Sequence, residues 1–171
     1  PSAGQMTLFG EDAATLGRDA IAGVRRRIGV VHQDTQFLDH LPVAENIALP
    51  MMVAGQPIDM QAIRDLLAWV QMTGQARAMP PSLSGGERQR AALARAVILS
   101  PDVILADEPT GNLDWEMSLR LLQLLVELNR SGKTVLIATH DLNLIRAAKQ
   151  MVSARVLRIA GGRLQTAGAE L

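Results

Sequence analysis

Segments in which apolar residues run continuously alternate along the chain with segments in which they recur at helical spacing. This pattern predicts strands interleaved with helices. Continuous apolar runs predict short strands at Ile28–Val31, 103–106 and Thr134–Ala138. Apolar residues at helical spacing predict helices over 59–72, 84–99, 115–129 and 142–149. This order is typical of an α/β fold, a mostly parallel sheet with helices on both faces. Because its run is continuous and β-branched, we expect Thr134–Ala138 to be a central strand.

Other segments of the chain predict antiparallel or irregular structure. Residues 5–9 alternate and precede a turn at Gly10, and Gly161-Gly162 separates two short apolar runs as in a hairpin. Prolines and a glycine interrupt residues 37–57, which predicts an irregular segment with at most a short helix starting at 43–47. Trp69 and Trp115 lie on predicted helices, and we expect both to be packing anchors.

The composition excludes several functional classes. Seventeen basic residues balance seventeen acidic ones, so there is no bulk electrostatic case for binding nucleic acid. The chain has no cysteine, which excludes a disulfide framework and thiol chemistry. No apolar run approaches the roughly 20 residues of a membrane span. Three consecutive arginines, Arg25 to Arg27, favour a solvated helix end before a strand; a nucleic-acid patch is the weaker alternative, because three basic residues alone are a weak signal.

A glycine-rich helix start is the first stretch with candidate chemistry. Ser84 can cap the helix, and Glu87 three residues later completes a capping box. Gly85 and Gly86 lack a Cβ, so another molecule can approach the backbone closely. The free N–H groups of a helix N-terminus favour an anion. The alternative is an ordinary helix cap over a tight turn.

Two adjacent carboxylates form the second such stretch. Asp107 and Glu108 follow a buried apolar strand, and the carboxyl ends of parallel strands are where α/β sheets bind ligands. Such a pair suits a metal–phosphate complex and an activated water. The alternative is a strand-end acidic pair that faces solvent. Together the two stretches predict nucleotide phosphate chemistry.

Five segments in order along the chain resemble the motifs of ATP-binding cassette (ABC) ATPases. They are the Q-loop (31–34), the signature motif (83–89), the Walker B strand with its catalytic glutamate (103–108), the D-loop (111–114) and the switch-histidine region (139–141). The resemblance implies one ABC ATPase domain over residues 1–171, with a helical subdomain at about 36–90 between the Q-loop and the signature helix.

The resemblance also assigns roles to individual residues. The implied catalytic residues are Glu108, which polarises the attacking water, His140, which contacts the γ-phosphate, and Gln33. Asp107 and Gln33 are implied to support Mg²⁺. The implied contacts to ATP held by a second subunit of a head-to-tail dimer are Ser84, Gly85, Gly86, Glu87 and Asp114. Residue by residue, simpler interpretations exist: Gln33 as a strand-end polar residue, His140 as a surface residue, and Asp114 as a helix cap.

One motif of the family does not occur. The phosphate-binding string G-x-x-x-x-G-K-[ST], called Walker A, is absent from the 171 residues, and the chain begins with Pro1 rather than Met. We therefore expect an N-terminally truncated cassette that hydrolyses no ATP in this form. The alternative is a natural non-catalytic module without the loop.

Within the family the chain most resembles a cell-division subgroup related to lipoprotein-release and macrolide-export ATPases. The segments 29–34, 127–136 and 140–145 carry this resemblance. It implies an integral membrane partner and a peripheral location on the cytoplasmic face of the inner membrane. An export ATPase is the alternative. A soluble ABC protein acting on nucleic acid or ribosomes is less favoured, because the chain has no coiled-coil insertion or tandem cassette, and no nucleic-acid partner is expected.

Overall fold

The structure is a computed structural model that describes residues 3–166. Within them it contains seven strands, six α-helices and two 3₁₀-helices, Thr73–Gln75 and Pro80–Ser82. The strands are β1 (Thr7–Leu8), β2 (Glu11–Asp12), β3 (Ile28–Val31), β4 (Val103–Asp107), β5 (Thr134–Ala138), β6 (Leu157–Ala160) and β7 (Arg163–Thr166). The helices are α1 (Arg18–Arg26), α2 (Val43–Val53), α3 (Met60–Trp69), α4 (Gly85–Val97), α5 (Trp115–Arg130) and α6 (Leu142–Met151).

A parallel sheet of the order β3-β4-β5 forms the centre of the described chain. Short antiparallel pairs, β1-β2 and β6-β7, precede and follow it. The predicted α/β class is therefore confirmed, and so are the two antiparallel segments. The arginine prediction also holds, because Arg25 and Arg26 lie in the last turn of α1 and Arg27 is its C-cap.

Only one face of this sheet is packed by α4 and α5 within residues 3–166. The buried face carries Val31, Ile104 and Ala106, each at most 3% exposed. On the other face, paired residues of the three strands include Val30, 42% exposed, and Leu136, 54% exposed. In the described residues this second face is therefore the more exposed of the two. The prediction of a central β5 is wrong for this sheet: β4 is central and β5 lies at an edge.

Close packing of β3 on α4 requires a glycine. A Cβ at Gly29 would lie 2.4 Å from the carbonyl oxygen of Ala96. Such a separation is shorter than any ordinary contact, so the backbones of strand and helix approach each other only because this residue has no side chain.

Helix α2 corrects the prediction of an irregular segment. It runs for 11 residues through Pro50, one of the prolines that predicted an interruption. Val43, Ile47 and Met51 recur every four residues on its inner face and are at most 7% exposed. Burial of this stripe outweighs the backbone hydrogen bond that the proline removes.

The two tryptophans differ. Trp69 packs against the core, and its Nε1 donates to the Glu127 carboxylate at 2.7 Å. Trp115 is 48% exposed, so its prediction as a packing anchor is wrong. The reason is its position as the first residue of α5, one turn before the buried positions that start at Ser118.

A continuous apolar cluster joins the sheet to the helices between β3 and α4. It includes Ile47 of α2, Ile63 of α3, Leu93 of α4 and Ile104 of β4, each at most 1% exposed. Helices α2 and α3 lie in the region predicted to be a helical subdomain, and that boundary stays a prediction.

Candidate active site

Strand β4 ends at the two predicted carboxylates. Asp107 is its last residue, and Glu108 follows with φ = 40°, a left-handed conformation that is unusual for a residue with a side chain. The Glu108 amide donates to the Ala138 carbonyl at 2.9 Å, which ties the end of β4 to the end of β5. This hydrogen bond between the strand ends helps to hold Glu108 in its strained backbone conformation.

Three donors hold the Glu108 carboxylate. Thr139 Oγ1 donates to Oε2 at 3.0 Å, the His140 amide donates to Oε1 at 2.9 Å, and His140 Nδ1 lies 2.6 Å from Oε1. The structure therefore brings two of the predicted catalytic residues, Glu108 and His140, into direct contact.

Contact between these two side chains shifts both pKa values. Burial raises the pKa of Glu108, but hydrogen bonds from His140 and Thr139 outweigh it and leave the pKa below its usual value. The hydrogen bond and charge of Glu108 raise the pKa of His140. The His140 side chain is 89% exposed and that of Glu108 is 23% exposed. Solvent screens such a pair, so His140 can leave Glu108 at little cost.

The signature helix begins as predicted, with a capping box. Ser84 Oγ accepts from the Glu87 amide at 3.3 Å, while the Ser84 amide and hydroxyl both donate to Glu87 Oε2 at 2.8 Å. These hydrogen bonds, that of the Ser84 backbone first, lower the pKa of Glu87. The Ser84 donors are thus aimed at an anion, the Glu87 carboxylate.

Gly85 and Gly86 are not required by the chain's own packing. A Cβ at Gly85 would lie 3.6 Å from the Asn112 carbonyl oxygen, and one at Gly86 would lie 3.4 Å from Met117 Sδ. Both are ordinary contact distances, and neither glycine has a positive φ. Neither packing nor backbone conformation within the chain therefore requires glycine at these two positions. The absence of side chains there allows another molecule to approach the backbone closely.

Gln33 lies against the turn that follows Glu108. A Cβ at Gly111 would lie 3.0 Å from Gln33 Nε2, so the two residues are in contact. The Gly111 amide donates to the Glu108 carbonyl at 3.1 Å, which closes this turn. The structure therefore brings the Q-loop next to the end of β4.

Asp114 is a helix cap, as its simpler interpretation stated. Its carboxylate accepts from the Met117 amide at 2.9 Å at the start of α5. Leu113, the preceding residue, lies near Gly85, so the predicted D-loop borders the signature turn. No hydrogen bond in the described part of the chain joins residues 84–87 to Glu108 or His140.

Asp107 and Gln33 have the donor chemistry that Mg²⁺ prefers. Asp107 is exposed, and within residues 3–166 no hydrogen bond or ion pair occupies its carboxylate. Carboxylate and amide oxygens are the protein ligands of hard cations, and Mg²⁺ typically binds one or two of them together with substrate phosphates. No group of three or more His, Cys, Asp or Glu in this part of the chain could hold a metal alone. The residues thus fit an ion that arrives with a phosphate.

Two residues of this site were not predicted from the sequence. No role was predicted for Thr139, although its hydroxyl donates to Glu108. Its position directly after β5 and before His140 was a usable signal. Gln89 on α4 donates to the carbonyls of His32 and Gln33. Its buried position was a weak signal, because a glutamine on an apolar helix face does not reveal its partner.

Comparison with known proteins shows the family. Residues 1–111 match the family model described as ABC transporter. The chain therefore belongs to the ABC transporter family, in which it represents the ATPase domain.

Individual relatives agree with this assignment. The chain is 47% identical over 147 residues to the cell division ATP-binding protein FtsE of Haemophilus influenzae, covering 85% of this chain and 67% of the relative. It is 42% identical over 156 residues to FtsE of Bacillus subtilis, covering 90% and 68%. It is 36% identical over 157 residues to the macrolide export ATP-binding/permease protein MacB of Chlorobaculum tepidum, covering 90% of this chain but 24% of MacB.

A solved structure has the same fold. The dimeric, post-hydrolysis state of the ATP-binding cassette MJ0796, bound to ADP and Pi, superposes with a TM-score of 0.83 at 30% identity. The match covers 97% of this chain and 74% of that one. The predicted ABC ATPase fold is thereby confirmed. None of the helices that the structure describes is long and apolar enough to span a membrane.

Proposed function

We propose that this chain is the core of an FtsE-like ATPase subunit, which couples ATP hydrolysis in a nucleotide-sandwich dimer to an FtsX-like membrane partner during cell division. The identity of 42–47% to FtsE proteins over most of the chain supports the subgroup. The subunit is peripheral, on the cytoplasmic face of the inner membrane, where its partner anchors it. The matches cover 67–73% of the length of these FtsE relatives, and the Walker A string does not occur in the 171 residues of this chain.

The observation that carries the proposed chemistry is the environment of Glu108. Its carboxylate is held at the end of β4 by Thr139 and His140, and in its ionised form it can accept a proton from a water molecule. In hydrolysis the water oxygen bonds to the γ-phosphorus as the bond to the ADP oxygen breaks, and Glu108 orients the water. Bound Mg²⁺, held by Asp107 and Gln33, would neutralise the phosphate charge. His140, released from Glu108, would donate a hydrogen bond to the γ-phosphate.

The N-terminus of α4, where two glycines carry no side chain, supports the proposed ATP-sandwich dimer. Ser84, Gly85 and Gly86 present donors and free space at the N-terminus of α4. In the proposed sandwich these residues, with Glu87 and with Asp114 of the D-loop, contact ATP held by the partner subunit. The phosphate oxygens would replace the Glu87 carboxylate as acceptor of the Ser84 hydroxyl. The dimeric state of the MJ0796 cassette supports the same arrangement.

An export role is the second candidate, because MacB proteins also match at 36–39% identity. The discriminating experiment is a pull-down from the source cell's membranes. The bait is the complete protein with Glu108→Gln, in the presence of ATP, and the captured proteins are identified by mass. Recovery of an FtsX-like membrane protein supports the division role. A lipoprotein-release or drug-export permease would overturn that role and keep the ATPase, while nucleic acid without a membrane protein would move the chain to the soluble class.

A further inference from the structure

Helix α4 is fastened to the Q-loop by a buried glutamine. Gln89 Nε2 donates to the Gln33 carbonyl at 2.5 Å and to the His32 carbonyl at 3.3 Å. Gln89 is 6% exposed, so both contacts are shielded from water. The His32 carbonyl has a second donor, Thr35 Oγ1 at 2.9 Å, which makes the bond to Gln33 the one that depends on Gln89.

The same helix holds the far end of the Q-loop. Arg95 Nη1 donates to the Gln36 carbonyl at 2.8 Å, and its guanidinium lies 4.6 Å from the centre of the Phe37 ring. Phe37 is 7% exposed. The segment 32–37 is therefore attached to α4 at both ends, two turns of helix apart.

Gln33 also contacts the turn that follows Glu108, residues 108–111. Its side chain contacts Gly111, and the Gly111 amide bonds to the Glu108 carbonyl. A continuous series of contacts thus runs from α4, the helix that starts with the signature motif, through Gln89 and Gln33 to the residue that follows β4.

The amide of Gln89 has one group that destabilises the protein and one that makes the contacts described above. Its Oε1 atom is buried and has no hydrogen-bond partner in the described part of the chain. A buried unpaired acceptor destabilises a protein, and an apolar side chain of the same length would avoid that cost. An apolar side chain, however, cannot donate to the Gln33 carbonyl.

We propose that Gln89 is a positioning residue for hydrolysis. Its hydrogen bond holds the Q-loop backbone at Gln33 in place. The position of the signature helix α4 relative to the turn that follows Glu108 is thereby fixed. This inference rests on the proposed function, because it assigns Gln89 a part in the same reaction. Gln89 does not touch the reacting atoms and acts through Gln33.

The test is Gln89→Met in the complete protein, because methionine has nearly the same length and no donor. We expect kcat for ATP hydrolysis to fall about tenfold, the effect of losing one shielded hydrogen bond, while KM for ATP stays within about twofold. The matched control is Ala94→Gly, which weakens the interior of the same helix and leaves both Gln89 bonds intact. The control is expected to lower the melting temperature and to leave kcat within about twofold.

A double-mutant cycle separates positioning from a structural role. In a Gln33→Ala background, Gln89→Met is expected to change kcat by less than about twofold, because the side chain that it positions is gone. A full tenfold further loss in that background, or an unchanged kcat in the single variant, would overturn the proposal. If Gln89→Met does not fold, Gln89→Asn replaces it; it keeps the amide but is one methylene too short, and the same two outcomes apply.

Glu108→Gln, measured in parallel, keeps the two hypotheses apart. If Glu108→Gln leaves turnover unchanged, the catalytic site on which the proposed function rests is wrongly assigned. If Glu108→Gln abolishes turnover while Gln89→Met hydrolyses ATP at the wild-type rate, only the role of Gln89 fails.

Discussion

The Oε1 atom of Glu108 lies 2.6 Å from Nδ1 of His140, at the adjoining ends of β4 and β5. Asp107 pairs with Ala138 in the sheet; Glu108 directly follows Asp107, and His140 lies two residues beyond Ala138. The sheet register therefore brings these two side chains to the same place. The imidazole is 89% exposed, so solvent screens its attraction to the carboxylate.

The first prediction concerns the titration of His140. Its pKa is raised by Glu108, so an NMR titration is expected to give a value above the ordinary 6.5. The attraction is fully present below pH 6.5 and is lost as the pH rises through the raised pKa. For Glu108, whose pKa is lowered, the stabilisation is present above its ordinary 4.5 and is lost as the pH falls through the lowered value.

Glu108→Gln removes the charge and keeps the shape of the side chain. The pKa of His140 is then expected to return toward 6.5. A His140 pKa at or below the ordinary value in the wild type would contradict the contact.

The second prediction concerns Gly86. Gly86→Asp places a charge where the partner's ATP would approach, while its Cβ fits the monomer. We expect at least about a tenfold loss of ATP-dependent dimerisation, from phosphate repulsion, with the fold intact by circular dichroism. Gly17→Asp, the same change at the N-cap of α1, is the matched control and is expected to dimerise normally. Equal dimerisation by Gly86→Asp would remove the sandwich arrangement.

The third prediction concerns Gly29. Gly29→Ala drives a methyl group against the Ala96 carbonyl, so we expect a loss of about 1–3 kcal/mol in the free energy of unfolding. Gly23→Ala is the control, because it lies in α1 with open space around it and is expected to stabilise by about 0.5–1 kcal/mol. Urea unfolding measures both. Similar stability of the two variants would show that β3 and α4 are not in close contact.

The fourth prediction separates two roles of Asp114. Asp114→Ser keeps a cap for α5, so the free energy of unfolding is expected to stay within about 0.5 kcal/mol, whereas Asp114→Ala is expected to lose about 1 kcal/mol. If Asp114 also contacts the partner subunit, both variants lower ATP-dependent dimerisation. Dimerisation that follows stability alone, normal in Asp114→Ser and reduced in Asp114→Ala, would leave Asp114 as a cap only.

The sequence predicted those parts of the fold that depend on local pattern. The run Thr134–Ala138 matches β5 at both ends, and Ser84 with Glu87 forms the capping box that their spacing indicated. The prediction was wrong where packing outweighs a local signal. Pro50 does not end α2, because the buried stripe of that helix continues past it.

The site was predictable as a set of residues and not as a set of contacts. The motifs identified Glu108, His140 and Gln33, but their distances depend on sheet register and on side chains remote in sequence. Gln89, 56 residues from Gln33, is the clearest example. A hydrogen bond between a helix side chain and a distant backbone carbonyl has no periodic signature in sequence.

The central claim is that Glu108 activates the water that hydrolyses ATP. Measuring turnover and dimerisation side by side tests this claim most directly. ATP turnover and dimerisation are measured for the complete protein and for its Glu108→Gln variant. The variant is expected to lose at least about a hundredfold in turnover, because the amide cannot accept the proton of the attacking water. It is also expected to persist as an ATP-bound dimer. Turnover at the wild-type rate in Glu108→Gln would contradict the assignment of the site.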